Sequence, residues 1–163
     1  MKNWKARLSG YESLASLFQA LDDEKSPEFA KYAPLVKKLV VDSNAAAQEK
    51  GLSAVLAFAE NYAMAGKYTE GVISGIVSKC LTSPKVKTRE LSYEIVLMFV
   101  EIEKQDLVIE ELIKGLDNKT PKIVAASASL IKQCLNNYGV KVINVKPIVK
   151  VGLKSLFFFI LLN

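Results

Sequence analysis

The chain has 163 residues, half of them apolar and 24% charged, a balance that fits one globular domain with a core and excludes a wholly disordered chain. It contains no histidine, which removes His-dependent triads, an imidazole general base and His-bearing zinc sites. Its 22 basic against 17 acidic side chains leave only +5, enough to suit an acidic partner surface but too little to indicate nucleic acid. Taken from the start, Trp4, Leu8, Tyr11, Leu14, Phe18 and Leu21 recur in steps of three and four, one apolar stripe on one helix, which Asp22, Asp23 and Glu24 end. Ser26-Pro27-Glu28 predicts the start of a second helix: a capping serine, a proline at the first helical position and an acid near the positive helix end. Its stripe is Phe29, Tyr32, Val36, Leu39 and Val40.

Asp42-Ser43-Asn44, three capping residues in a row, predict a long third helix carrying Leu52, Val55, Leu56, Ala59 and Tyr62, with Gly66 in the loop beyond. Thr69 is expected to cap a shorter fourth helix with Val72, Ile73, Ile76, Val77 and Cys80. The loop Thr82-Ser83-Pro84-Lys85 leads to a fifth helix with Leu91, Ile95, Met98, Phe99 and Ile102. A short sixth follows with Val108, Ile109, Leu112, Ile113 and Leu116. After the turn Asp117-Asn118-Lys119, Thr120-Pro121 opens a seventh with Ile123, Val124, Leu130, Ile131, Cys134 and Tyr138. Gly139 should terminate it through the left-handed conformation, and Val145, Ile148 and Val149 begin an eighth. No segment shows convincing strand alternation, so the fold class is all-α.

Cys80 and Cys134 form neither a CxxC nor a metal spacing and fall on apolar helical positions, so they read as small core residues in a reducing compartment, with a disulfide as the other option. No secretory signal is visible in MKNWKARLSGYE. The run Leu156 to Leu162 is wholly apolar, but a membrane span needs about 20 such residues, and Lys146, Lys150 and Lys154 interrupt any extension. Three readings of this tail stay open: the end of a core helix, a non-native or truncated terminus, and a membrane anchor. A membrane role would rest on it alone and is not expected.

Short and long helices alternate, and the short-to-long loops fall near positions 43, 85 and 119, with Trp4 about one period earlier. A spacing of about 35 to 42 residues is that of a two-helix solenoid of the HEAT or armadillo type. The short-to-long turns should then line one long rim, a natural surface for an extended protein partner.

The string Trp4-Lys5-Ala6-Arg7-Leu8-Ser9-Gly10-Tyr11-Glu12 resembles the start of the second helix of a TOG domain. In order, and at matching spacing, come Asp23-Glu24-Lys25-Ser26-Pro27-Glu28, Val41-Asp42-Ser43-Asn44-Ala45, Gln48-Glu49-Lys50-Gly51-Leu52, Val100-Glu101-Ile102-Glu103-Lys104, Gly115-Leu116-Asp117-Asn118-Lys119 and Pro121-Lys122-Ile123-Val124. Together they resemble the first TOG domain of the Mini spindles / ch-TOG microtubule polymerase family. The resemblance implies a HEAT-repeat paddle over 1–150, incomplete at both ends, followed by a divergent apolar tail over 151–163. It implies binding of the αβ-tubulin heterodimer through the inter-helix loops of one edge, a part in microtubule polymerisation and plus-end growth, and a place in the cytoplasm on microtubules, spindle and centrosome. No enzymatic activity, cofactor or metal is implied.

By that resemblance, Trp4 and Lys5 belong to the first tubulin-binding loop, Asp42, Ser43 and Asn44 to the second, Lys85 and Lys87 to the third, and Asn118, Lys119 and Lys122 to the fourth. The residue chemistry agrees: lysines suit tubulin's acidic surface, tryptophan is a common interface anchor, and Asn44 can cap a helix while offering amide groups outward. Each has a plainer reading. Trp4 also fits the apolar stripe, Asn44 could be only a cap, and the lysines could be solvated surface. Arg7 belongs either to the rim or to an internal salt bridge, and Tyr11 reads as core. A generic HEAT scaffold for another protein is the alternative function. Glu101, Glu103 and Glu110-Glu111 could suggest paired catalytic carboxylates, but they read as a solvated face among lysines, and there is neither a glycine-rich phosphate loop nor an aromatic stacking platform for nucleic acid.

Overall fold

A computed structural model of the chain describes residues 3–152. It is built from helices α1 (Trp4–Ala20), α2 (Pro27–Tyr32), α3 (Val36–Val40), α4 (Ala45–Asn61), α5 (Thr69–Lys79), α6 (Val86–Phe99), α7 (Gln105–Leu116) and α8 (Pro121–Val142), with a further helical stretch over 146–152 and no strand among the described residues. Residues 153–163, which hold nearly all of the expected apolar tail, lie outside them. No helix of the described residues is long and apolar enough to cross a membrane.

The long helices α1, α4 and α6 pack side by side in one layer and the short α3, α5 and α7 in the other, while α8 lies mainly on α7. This is the alternation of short and long helices expected from the sequence, and the architecture is a HEAT-type solenoid. The sequence-predicted stripes become the core: Phe18, Phe29, Val55, Ile73, Ile95 and Leu112 are fully buried, and Phe58, outside the predicted stripe, is buried with them. Both cysteines are free and buried in it. Burial pushes the Cys80 thiol up to about 12 and the Cys134 thiol up to about 11, so neither is a reactive thiolate.

Several boundaries differ from expectation for identifiable reasons. The second helix is broken into α2 and α3 by a tight 3-10 turn over Ala33–Leu35. Pro34, which lies in that turn, has no N–H to donate and crowds the carbonyl four residues back. Thr69 does not cap by accepting a bond; it is the first residue of α5, and its hydroxyl donates back to the Gly66 carbonyl at 2.8 Å. The fifth helix stops at Phe99, and Ile102 falls in a π-type turn over Val100–Lys104 that holds Glu103 at φ 62. Gly139 takes the expected positive φ, at 70, but its ψ of 174 is extended rather than left-handed helical; it breaks the helical path and does not end it, since the element runs on to Val142.

Close approaches between helices hold the loop ends of the short layer in line. A Cβ on Gly51 would lie 2.6 Å from the Leu39 carbonyl oxygen, so α4 can cross α3 only with glycine there. A Cβ on Gly75 would meet Val40 and Val41, and one on Gly115 would meet Ser127 and Val77. The ends of α3, α5 and α7 therefore lie in a row, and the loops that follow them share one edge.

Candidate functional site

That edge is made of the first turns of α1, α4, α6 and α8 and the short-to-long loops that feed them. Each turn has its own local device. The Asn3 side chain caps α1 by accepting from the Ala6 amide at 3.2 Å. Asn44 caps α4, its Oδ1 accepting from the Ala46 and Ala47 amides at 3.0 and 3.1 Å. Ser83 Oγ accepts weakly from the Lys85 amide at 3.3 Å. Asn118 Oδ1 accepts from the Thr120 amide at 2.9 Å and folds the last turn.

Trp4 stands 38% exposed at the start of α1. The indole is therefore not a core side chain, although its position fits the apolar stripe. Lys5 Nζ lies 5.9 Å from the centre of its ring, a cation–π contact that favours a ring held at the surface. Arg7, left open by the sequence, makes an internal salt bridge. Its Nε and Nη2 donate to the two carboxylate oxygens of Asp42 at 2.6 and 2.9 Å, and the Tyr11 hydroxyl donates to the same carboxylate at 2.9 Å. The Asn44 amide completes the set at 2.9 Å. Tyr11 is thus only half-buried and has a polar task at its tip.

Asp42 differs from its sequence-derived role. Its side chain is 3% exposed, and its oxygens are taken up by Arg7, Tyr11 and the Asn44 amide. It fixes the second loop to the first helix rather than facing outward. The Arg7 hydrogen bonds, helped by those from Asn44 and Tyr11, hold its pKa down at about 2 against the desolvation that opposes them. Ser43 is exposed beside it.

Two more ion pairs continue the link along the edge. Lys50 meets Glu12 at 2.9 Å and Lys85 meets Glu49 at 3.3 Å. Deeper in, Gln48 Nε2 donates to the Val40 carbonyl at 2.9 Å, and the Cys80 thiol lies 3.4 Å from both Val40 O and Gln48 Nε2. Loops one, two and three are therefore joined by directional polar contacts.

Lys87 is exposed and lies 3.8 Å from Glu90 on its own helix. Asn118 and Lys119 are exposed on the fourth loop and Lys122 on the first turn of α8, and among the described residues neither ammonium is in an ion pair. All ten sequence-derived residues thus fall on one edge; nine present themselves there, and Asp42 is turned inward. The clamp itself was missed, though its signal was available: Arg7 and Asp42 are 35 residues apart and Glu49 and Lys85 are 36 apart, one repeat period in each case.

The carboxylates raised as a catalytic pair are engaged in other contacts: Glu110 and Glu111 both lie against Lys114. Glu101 accepts from the Tyr138 hydroxyl at 2.9 Å, and Glu103 is exposed in its turn. Glu111 is not part of a solvated face: it is 5% exposed and paired with Lys114. Among the described residues no group of three or more Cys, Asp or Glu is placed to hold a metal ion.

Residues 1–158 match the family model described as XMAP215/Dis1/CLASP, TOG domain. The chain is 56% identical over 149 residues to Protein mini spindles of Drosophila melanogaster, covering 91% of this chain and 7% of that protein. It is 39% identical over 150 residues to Protein MOR1 of rice, covering 91% and 8%. The chain thus spans less than a tenth of the length of these relatives. A solved structure from a study of tubulin recruitment and assembly by microtubule polymerases with TOG domain arrays superposes with a TM-score of 0.72 at 25% identity, over 80% of this chain and 28% of that one.

Proposed function

The chain belongs to the XMAP215/Dis1/CLASP TOG-domain family, and from that premise we propose that it binds the αβ-tubulin heterodimer through the edge that carries Trp4, Lys5, Ser43, Asn44, Lys85, Lys87, Asn118, Lys119 and Lys122. Asp42, with Arg7 and Tyr11, holds the first two loops at a fixed spacing. Binding, not catalysis, is the activity. Within a longer parent protein the module contributes to microtubule polymerisation and plus-end growth, in the cytoplasm on microtubules, spindle and centrosome. No cofactor enters this reading.

The observation that carries the proposal is Trp4. A tryptophan with over a third of its surface exposed, beside a loop whose geometry is locked by a buried carboxylate, is the arrangement of a preorganised anchor. Lysines spread along the same edge favour an acidic partner and speed encounter. A module of this kind drives a cycle only if it prefers one shape of its partner; the proposed preference is for curved, unpolymerised tubulin, released as the dimer straightens in the lattice.

Size-exclusion chromatography with soluble tubulin tests this. The wild-type chain should co-elute with tubulin. A Trp4→Ala/Asn44→Ser double variant, which keeps the helix cap but loses the indole and the amide donors, should not, with its helical circular dichroism unchanged. A double variant that co-elutes like the wild type would remove this edge from the interface and leave the chain a scaffold with another partner face.

A further inference from the structure

Three serine or threonine hydroxyls precede a proline: Ser26-Pro27, Ser83-Pro84 and Thr120-Pro121. Their settings differ. Pro27 and Pro121 are the first residues of α2 and α8, so the residues after Ser26 and Thr120 are locked in helix. Ser83 is different, because Pro84 and Lys85 both come before α6 begins at Val86. Thr82 and Pro84 are exposed and Ser83 half-exposed. The residue before a proline is biased to extended backbone, the shape a kinase cleft takes from its substrate.

Basic groups surround Ser83, two of them, Lys85 and Lys87, also facing the carboxylates of Glu49 and Glu90. The Arg89 guanidinium donates to the Ser83 carbonyl oxygen, the Lys85 amide donates to Ser83 Oγ at 3.3 Å, and Lys87 is exposed on the next turn. The 14-residue helix α6 starts three residues on. Its free amides add to the same positive field, of which Arg89 and the lysines supply the full charges. A phosphate here would have a guanidinium and an ammonium within reach for charge-assisted hydrogen bonds.

We propose that Ser83 is a phosphorylation site for a proline-directed protein kinase, and that its phosphate releases the third loop from tubulin. The regulatory half rests on the tubulin-binding reading above. In the transfer, Ser83 Oγ bonds to the γ-phosphorus of ATP while the bond from that phosphorus to the β,γ-bridging oxygen breaks. The hydroxyl proton passes to the kinase's catalytic carboxylate and ADP leaves. The new group carries about −1.5 to −2 at neutral pH, enough to cancel Lys85 and Lys87 together. It also competes with Glu49 for Lys85 Nζ, which now lies 3.3 Å from that carboxylate, and so loosens the link between the second and third loops.

The test treats the full chain with a cyclin-dependent kinase and Mg-ATP, maps the phosphate by mass spectrometry, and measures tubulin affinity before and after. Phosphate should map to Ser83 ahead of Ser26 and Thr120, and Ser83→Ala should remove it. The phosphorylated chain should bind tubulin at least about tenfold more weakly, while phosphatase treatment restores affinity. Phosphate on Ser26 or Thr120 with Ser83 untouched overturns the site. Phosphate on Ser83 with unchanged affinity overturns the switch. An unmodified chain that fails to bind tubulin overturns the switch together with the functional reading, and the mapping result still decides the site.

Discussion

The first three loops of the binding edge and the fourth are built differently. Arg7 to Asp42, Lys50 to Glu12 and Lys85 to Glu49 tie the first three to one another across repeats. The fourth is shaped by Asn118 alone, and its Lys119 and Lys122 are in no ion pair among the described residues. A buried, multiply bonded carboxylate such as Asp42 fixes spacing more than it adds net stability. Two exposed ammonium groups fix nothing, but act at a distance. The difference separates a preorganised part of the edge, suited to anchoring, from an electrostatic part, suited to encounter.

The largest effect should come from the anchored side. Trp4→Ala should weaken tubulin binding by about 2 kcal/mol or more, roughly thirtyfold, with the thermal midpoint unchanged because the indole is outside the core; calorimetric titration with soluble tubulin measures the first and a melt the second. Next comes the support behind the second loop. Gly51→Ala sets a methyl against the Leu39 backbone and should cost about 1–3 kcal/mol of folding stability in a urea melt. Gly115→Ala first meets side chains, Ser127 and Val77, rather than backbone, and should cost less.

The clamp predicts an acid signature. Asp42 is at about 2 in the folded protein and near about 3.9 when unfolded. A lowered folded-state pKa stabilises the fold above the unfolded value and loses that contribution as pH falls from about 4 to about 2. Asp42→Asn should flatten the wild-type loss of helical circular dichroism stability in that window while leaving its pH dependence above 5 unchanged. The smallest effect belongs to the fourth loop. Lys119→Ala and Lys122→Ala should each weaken binding only about two- to fivefold, through slower association, and the difference should shrink as salt is raised in stopped-flow measurements.

The fold was largely legible because its signals are periodic. Phe18, Val55, Ile73, Ile95 and Leu112 announce their helices by spacing, and the loops at 43, 85 and 119 announce the repeat; Phe58, buried at the centre of the aromatic cluster, lies off the stripe read for its helix. Breaks set by one residue's backbone were less legible. Pro34 splits a helix whose apolar stripe runs straight through it, and Glu103 adopts a left-handed conformation that nothing in its type requires. In the site, exposure of Trp4 could not be read from a stripe it happens to fit. Asp42 was read outward because its chemistry and position suit a rim; only its contacts with Arg7 and Tyr11 turn it inward. Glu111 was misread for the complementary reason, since a charge among lysines looks solvated until the packing of α7 buries it.

Amide hydrogen exchange of the chain with and without tubulin locates the binding edge residue by residue. Tubulin should add protection at the first turn of α1, at 41–47 and at 82–88, with weaker protection at 118–124. The opposite edge, over 62–68 and 100–104, should gain none. Protection concentrated on that opposite edge, with the first turn of α1 and 41–47 unchanged, would contradict the proposed interface.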